Sequence, residues 1–265
     1  MGHRRPLSCP SMHADLALAL ELADVADALN LERFRASDLR VDTKPDSSPV
    51  TDADTRTEAA LRERLLRQRP AHAIVGEEYG SDGESEWRWF IDPIDGTKNF
   101  ARGVPVWATL IGLRRGDDGV CGVVSAPALH RRWYATRGGG AWSAPDTALR
   151  VSSVTDLSAA HMSCTDIRDF DSRGLGDGFR SLTAACRFVR AFGDFWSHVL
   201  VAEGALDIGV EPVVNPWDLA ALQVIVEEAG GRFTDLDGRP RIDGGSALTS
   251  NGLLHDTALA RLRNR

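Results

Sequence analysis

Residues 89–100 read Trp-Phe-Ile-Asp-Pro-Ile-Asp-Gly-Thr-Lys-Asn-Phe. The apolar run Trp89-Phe90-Ile91 predicts a buried strand, and this strand ends in acid. Asp92 and Asp95 follow at its C-terminal end. Pro93 has a fixed φ and no N–H to donate. Gly96 permits a tight turn or a close ligand approach, and Thr97-Lys98-Asn99 is expected to open a short helix. Two carboxylates on one turn, with no basic residue between them, make a hard, oxygen-rich site that suits Mg²⁺. Backbone N–H groups at Gly96 and Thr97 suit an anion. A lone Asp-x-x-Asp also fits a plain Asx turn. The complete Asp-Pro-Ile-Asp-Gly-Thr after an apolar strand favours the ligand site.

Upstream, Ala73-Ile74-Val75 predicts a short strand, followed by Gly76-Glu77-Glu78. This is a second acidic strand end, and in open α/β sheets ligands gather at carboxyl ends of strands. A solvated turn is the plain alternative for either glutamate. Before it, Val50-Thr51-Asp52-Ala53-Asp54 leads into a helix over about 52–68. Negative charge in a first helical turn is favoured by the helix dipole. Capping accounts for Asp52; for Asp54, capping and a site role stand side by side. Residues 13–34 carry helical spacing of Leu, Ala and Val, and 36–50 form a Pro/Ser-rich connection or short hairpin. The segment 81–86 is acidic and glycine-containing and is expected to be flexible.

Downstream, 106–114, 120–125 and 132–136 read as strands, with Asp117-Asp118-Gly119 as a hairpin turn. Gly138-Gly139-Gly140 lacks a following Lys-Ser/Thr and is read as a turn, not a phosphate loop. Residues 13–150 thus form an N-terminal α+β half, two helices on an antiparallel sheet. From 151 to 265 the pattern changes to an α/β half. Strands are expected over 159–164 and 205–210, the latter ending at Glu211. Asn215-Pro216-Trp217-Asp218 opens a helix closed by Gly230-Gly231, with Asn215 as N-cap and Pro216 in the first position. Late strands at 233–235 and 248–251 and a helix at 254–262 complete the chain.

The 265 residues carry a net charge of −7, with 43% hydrophobic and 26% charged residues. That is ordinary for a soluble globular protein and argues against nucleic acid or an anionic membrane as partner. A metal can invert the local field, so an anionic substrate is compatible with it. The four cysteines are scattered without a C-x-x-C, which signals neither zinc nor a disulfide framework and points to the cytoplasm. Residues 1–12 lack the apolar segment of a secretory signal and are expected to be a disordered extension. The seven histidines form no metal spacing; His198, four residues after Asp194, reads as a packing or polar-shell residue.

Gly76-Glu77-Glu78, then Asp92–Thr97, then Trp217-Asp218 with Glu228-Ala229-Gly230-Gly231 resemble, in order and spacing, the inositol monophosphatase-like family of Mg²⁺-dependent phosphatases. Val50–Asp54 is similar to the family's upstream catalytic segment. Lys98 departs from a common Thr, and Leu222 from a common Gly. The resemblance implies a layered α-β-α-β-α sugar-phosphatase fold, with two mixed or antiparallel sheets interleaved with helix layers. It implies two or three Mg²⁺ per site, held by Glu77, Asp92, the Ile94 carbonyl, Asp95 and Asp218. It implies that Thr97 and Asp54 orient and deprotonate a water, that Gly96 and Thr97 hold the phosphate, and that the chain forms a homodimer. Electrostatics agrees: converging carboxylates without a counter-charge repel, and a divalent cation holds them together.

Arg190-x-x-Gly193-Asp194-Phe195-Trp196, followed by Glu211, resembles the histidinol-phosphate phosphatase branch, whose substrate is a small phosphate ester bearing an ammonium and an imidazole. Acids at Asp194 and Glu211 suit those groups. Asp194 also fits a helix cap, and Glu211 also suits a polyol hydroxyl. Arg190 either reaches phosphate or pairs with Asp194. Trp107 and Trp196 offer a ring face or belong to the core. The leading expectation is hydrolysis of L-histidinol phosphate in histidine biosynthesis. The rivals are an inositol-1-phosphate or broad-specificity phosphatase, and a catalytically silent metal-binding or regulatory homologue.

Overall fold

Five layers stack in the order helix, sheet, helix, sheet, helix. The computed structural model of the chain describes residues 10–45 and 48–263. Helix α1 (Pro10–Arg33) leads through the hairpin β1 (Val41–Thr43) and β2 (Pro49–Thr51) into α2 (Asp52–Gln68). Then come β3 (Ala73–Gly76), β4 (Gly80–Asp82), β5 (Trp87–Asp95), α3 (Thr97–Ala101), β6 (Ala108–Arg115), β7 (Asp118–Ala126), β8 (Arg131–Thr136), β9 (Gly140–Ser143) and β10 (Thr147–Ala148). These strands form an eight-stranded sheet ordered β10-β9-β8-β7-β6-β5-β3-β4. The rest is β11 (His161–Cys164), α4 (Ile167–Ser172), α5 (Gly176–Ala185), β12 (Phe188–Arg190), α6 (Asp194–Ala202), β13 (Ile208–Glu211), α7 (Pro216–Glu228), β14 (Arg232–Thr234), β15 (Ala247–Ser250) and α8 (His255–Arg263). Its strands make a second sheet, β12-β11-β13-β15-β14.

Alternation along the strands decides what faces what. Ile91, Ile111, Leu113 and Val123 pack under α1 and α2. Leu110 and Val124, on the opposite face, meet Phe195 and Val199 of α6 and Ala221, Leu222 and Ile225 of α7. Met162, Cys164, Ile208 and Val210 of the second sheet pack with Phe170, Phe179 and Leu259 of the outer helices. Its inner face is made of small residues: Ser163 Oγ accepts from Ser197 Oγ at 2.7 Å. Helix α7 also lies close to the first sheet. A Cβ on Gly112 would stand 2.7 Å from Ala221 N, and one on Gly122 2.5 Å from Ala221 O. Only glycine in β6 and β7 admits the α7 backbone at that depth, and α7 carries Asp218 at its N-terminal turn.

Three expectations need correction. The first sheet is mixed, because β3 and β5 run parallel. Residues 80–82 are not a loose loop; they form β4, which turns back outside β3, so the chain re-enters on the other side of β3 running the same way. Met12 lies inside α1, as do Pro10 and Ser11; the rest of the expected N-terminal extension lies outside the described residues. The 36–50 connection does contain a hairpin, and its tip, 46–47, is also outside them.

Candidate active site

Parallel pairing brings the first two acidic motifs together. Gly76 stands opposite Ile91, so Glu77 and Asp92 leave their strands at the same end. Between Asp92 and Asp95 the ladder shifts: Asp92 faces Leu110 and Asp95 faces Ala108. One extra residue is absorbed on β5. Such a bulge inverts the alternation, and residues three apart come to share a face. The turn is pinned from below. Asn30 Nδ2 and Thr109 Oγ1 donate to the Pro93 carbonyl at 2.9 and 2.8 Å, and Thr57 holds Asn30 Oδ1 at 2.6 Å.

Asp92, Asp95 and Asp218 each place a carboxylate oxygen within 4.8 Å of the others. One oxygen of each is fixed by a backbone N–H. Asp92 Oδ1 accepts from Ile94 at 2.9 Å, Asp95 Oδ2 from Phe195 at 2.6 Å, and Asp218 Oδ2 from Asn215 at 2.7 Å. The second oxygen of each makes no hydrogen bond among the described residues. Burial raises all three pKa values well above the usual carboxylate range. Repulsion adds to burial: from Glu77, Asp95 and Asp218 on Asp92, from Asp194 and Asp218 on Asp95, and from Glu77, Glu211 and Asp194 on Asp218. Acceptor oxygens gathered this way, with no cation among them, fit a hard divalent metal.

Glu77 stands outside that triangle, with Oε1 accepting from Lys44 Nζ at 2.7 Å; the same ammonium reaches Glu78 Oε1 at 2.7 Å. Burial disfavours the lysine charge, and the two hydrogen bonds outweigh it, raising the Lys44 pKa. A cation therefore already sits on this carboxylate pair. The turn is shaped by Glu58, buried in α2, which accepts from Glu78 N at 2.7 Å and Tyr79 N at 3.2 Å. A Cβ on Gly76 would lie 2.1 Å from Glu58 Oε1.

Asp54 and Thr97 meet as the sequence motifs suggest. Thr97 Oγ1 lies 2.8 Å from the Ile94 carbonyl and 3.3 Å from Asp54 Oδ1. The α2 cap is Thr51, and Asp54 is its capping-box partner, its Oδ2 accepting from Thr51 N and Oγ1. Asp52 lies in the first turn of α2, as expected for a charge favoured by the helix dipole, although the N-cap residue itself is Thr51; Asp52 also pairs with Arg33 at 3.0 Å. Asp54 is pushed up to about 7, by burial first, against the Thr51 hydrogen bonds and with Glu78 and Glu77 adding repulsion. Gly96 has a φ of 83°, and a Cβ there would lie 3.1 Å from Val106 O and 3.4 Å from Asp194 Oδ2.

Asp194 is thus beside the motif turn, and it is not a cap. Gly193 is the α6 N-cap, and Asp194 follows in the left-handed region at φ 51°. Non-glycine residues rarely adopt it, and such strain concentrates at functional sites. Burial first, then Glu211, raises the Asp194 pKa to about 7, while Lys98 lowers it. Asp95, Asp194, Glu211 and Asp218 line one small cavity together with His198. Behind Glu211, His198 Nε2 lies 3.6 Å from Glu211 Oε1, while Nδ1 meets Thr249 Oγ1 at 2.9 Å. Arg190 is elsewhere. It sits on the edge strand β12, and its guanidinium touches the Val189 carbonyl and the Phe188 ring, not Asp194. Trp107 is fully buried with Phe34 and Phe100, and Trp196 packs on Trp133; core packing accounts for both.

The inositol monophosphatase family pattern matches residues 12–264. The chain belongs to the inositol monophosphatase family. The family is generally metal-dependent, consistent with the acidic cluster. A histidinol-phosphatase of Mycobacterium tuberculosis is 55% identical over 257 residues, covering 94% of this chain and 98% of that protein. A histidinol-phosphatase of Streptomyces coelicolor is 48% identical over 264 residues, 97% of this chain and 99% of its own. Among solved structures, an inositol monophosphatase from Zymomonas mobilis superposes with a TM-score of 0.86 at 31% identity, covering 97% of this chain and 100% of that one. The family member described here also has no helix, among its described residues, long and apolar enough to cross a membrane.

Sequence reasoning missed Lys44, Glu58, Asn30 and Thr109. None lies in an acidic motif, and each acts through a contact distant in sequence. The only local signal was Gly76, whose lack of a side chain makes room for Glu58.

Proposed function

We propose that this chain is a Mg²⁺-dependent phosphomonoesterase that hydrolyses L-histidinol phosphate to L-histidinol and phosphate in histidine biosynthesis. The observation that carries the reading is Asp194. A strained, half-buried carboxylate stands with Glu211 beside the three-aspartate cluster, where a cationic leaving group has its counter-charge. The names of the two relatives at 55% and 48% identity support the same substrate.

In this reading Asp92, Asp95, Asp218, Glu77 and the Ile94 carbonyl hold two or three Mg²⁺. When bound, the metal supplies positive charge that acidifies water and offsets charge on the phosphate. The chain's own residues do the rest. Thr97 Oγ1 accepts a proton from the attacking water while passing its own to Asp54. Asp54 is placed for that task by its 3.3 Å contact with Thr97 Oγ1. Gly96 and Thr97 line the phosphate position, Asp194 and Glu211 receive the cationic end of the substrate, and His198 backs Glu211. Arg190, on its edge strand, has no part in this reading. The protein is assigned to the cytoplasm from its scattered cysteines and to a homodimer from the family resemblance, and light scattering after size exclusion tests the dimer.

Inositol-1-phosphate is the second reading, because Glu211 equally accepts from a polyol hydroxyl. A silent homologue has no need of the Thr97–Asp54 contact. Hydrolysis of a generic aryl phosphate, with Mg²⁺ and after its removal by chelation, separates enzyme from silent protein. Turnover that appears only with Mg²⁺ is expected; no turnover in either condition contradicts the proposal.

A further inference from the structure

A second cavity, of about 470 Å³, lies against the first sheet and shares no residue with the carboxylate cluster. Its lining combines apolar side chains, Val75, Phe90, Pro216, Pro240 and Ile242, with charged ones, Arg88, Arg114 and Arg241 against Asp117 and Asp243, and the Arg88 guanidinium lies over the Phe90 ring at 5.9 Å. Arg88 and Arg114 stand directly opposite each other on β5 and β6. Like charges at opposed positions of an antiparallel pair repel. Neither has a carboxylate partner among the described residues. Arg88 donates to Gly116 O at 3.1 Å; Arg114 donates to Gln223 Oε1 at 2.5 Å and to the Asp117 carbonyl. Arg114 is only 3% exposed. The buried Arg114 and the Arg88 opposite it are bonded to neutral oxygens, and no nearby carboxylate among the described residues is hydrogen-bonded to either, which is a costly way to hold two guanidinium charges. Burial chiefly lowers the Arg114 pKa; Asp117 and Glu227 oppose the shift, and Arg88 and Arg137 reinforce it. Arg241, at the rim, is offset by Asp243 at 2.7 Å.

We propose that this cavity binds a small organic anion, with a phosphate, sulfonate or carboxylate head between Arg88, Arg114 and Arg241 and an apolar body against Phe90, Pro216 and Ile242. Guanidinium forks suit such heads bidentately. The position is well placed to be felt at the other site. Val75, Phe90 and Pro216 each lie two residues before Glu77, Asp92 and Asp218.

Naphthalene-2-sulfonate, which combines both features and binds Mg²⁺ poorly, is the probe. Isothermal titration of the full chain in Mg²⁺ buffer should give one site per chain, weakening as NaCl rises. Arg88→Gln and Arg241→Gln, at partly exposed and rim positions, should each weaken binding about tenfold, the loss of one charged hydrogen bond, with unchanged thermal melts. Lys98→Gln, beside Asp194, should leave it unaltered. The proposal is overturned by no binding at about 10 mM probe, or by binding that Lys98→Gln removes and the arginine variants do not.

Discussion

The two sides of the site are built differently. Around Asp92, Asp95 and Asp218, one oxygen of each carboxylate is held by a backbone N–H, from its own turn at Asp92 and Asp218 and from Phe195 of α6 at Asp95, and the motifs are short. Around Asp194 and Glu211, the acids come from α6 and β13, with His198 on α6 itself, and the neighbours Gly96 and Thr249 arrive from distant segments. In the proposed function the first side supplies the donor set for general phosphate chemistry, and the second supplies the charge that tells one phosphate ester from another. A site divided this way should lose chemistry from one side and discrimination from the other.

The sharpest break is Asp92→Asn. It removes a charge that only a bound cation justifies, so turnover of every phosphate ester should fall by about 10³-fold or more. The metal-free melting temperature should hold or rise, since repulsion is relieved. Comparable loss across substrates, read by phosphate release, is the check.

Asp194→Asn should divide the sides. kcat/KM for histidinol phosphate should drop about 10- to 100-fold, the value of a charged hydrogen bond. Hydrolysis of an uncharged aryl phosphate should change little. Equal losses on both would show that Asp194 serves the chemistry and not the leaving group.

Gly112→Ala probes how the sides are joined. Its Cβ meets backbone in α7, so overpacking should cost about 1–3 kcal/mol, measured by urea unfolding, and Asp218 should shift with the helix. Wild-type stability would mean that α7 is not seated on β6 as described.

The smallest effect is in pH. Asp54 and Asp194 are both raised to about 7, above the ordinary 3.8. The folded, metal-free chain therefore binds more protons than the unfolded chain between those values. That stabilisation is complete below about pH 4 and is lost as pH rises through about 7. The metal-free melting temperature should fall from about pH 5 to about pH 8, and the fall should shrink with Mg²⁺. A flat profile in the metal-free protein would contradict the burial of these acids.

These two sides also differed in how legible they were. Asp92–Thr97 announces itself because strand, acid, proline, acid and glycine follow one another. The α7 start was equally plain, since Asn215, Pro216 and Asp218 satisfy helix rules and site chemistry together. Asp54 shows the limit of such rules: a capping-box acid and a site acid have the same sequence signature, and only Thr97 at 3.3 Å separates them. Glu77 stood out as an acid at a strand end, but the Lys44 that pairs with it did not, because a hairpin between two prolines carries no sign of where it folds. Arg190 was misjudged for the opposite reason. It is near Asp194 in sequence, but β12 carries it to the sheet edge before Gly193 turns the chain. The parallel pairing of β3 and β5, which brings Glu77 to Asp92, depends on β4 turning back outside β3 and has no local signal.

The division of labour meets its most direct test in kcat/KM for histidinol phosphate and inositol-1-phosphate, measured side by side with saturating Mg²⁺. The predicted result is a large preference for histidinol phosphate, set by the carboxylates of Asp194 and Glu211. Equal efficiency, or a preference for inositol-1-phosphate, would contradict it and leave Asp194 a strained structural residue beside a general phosphatase centre.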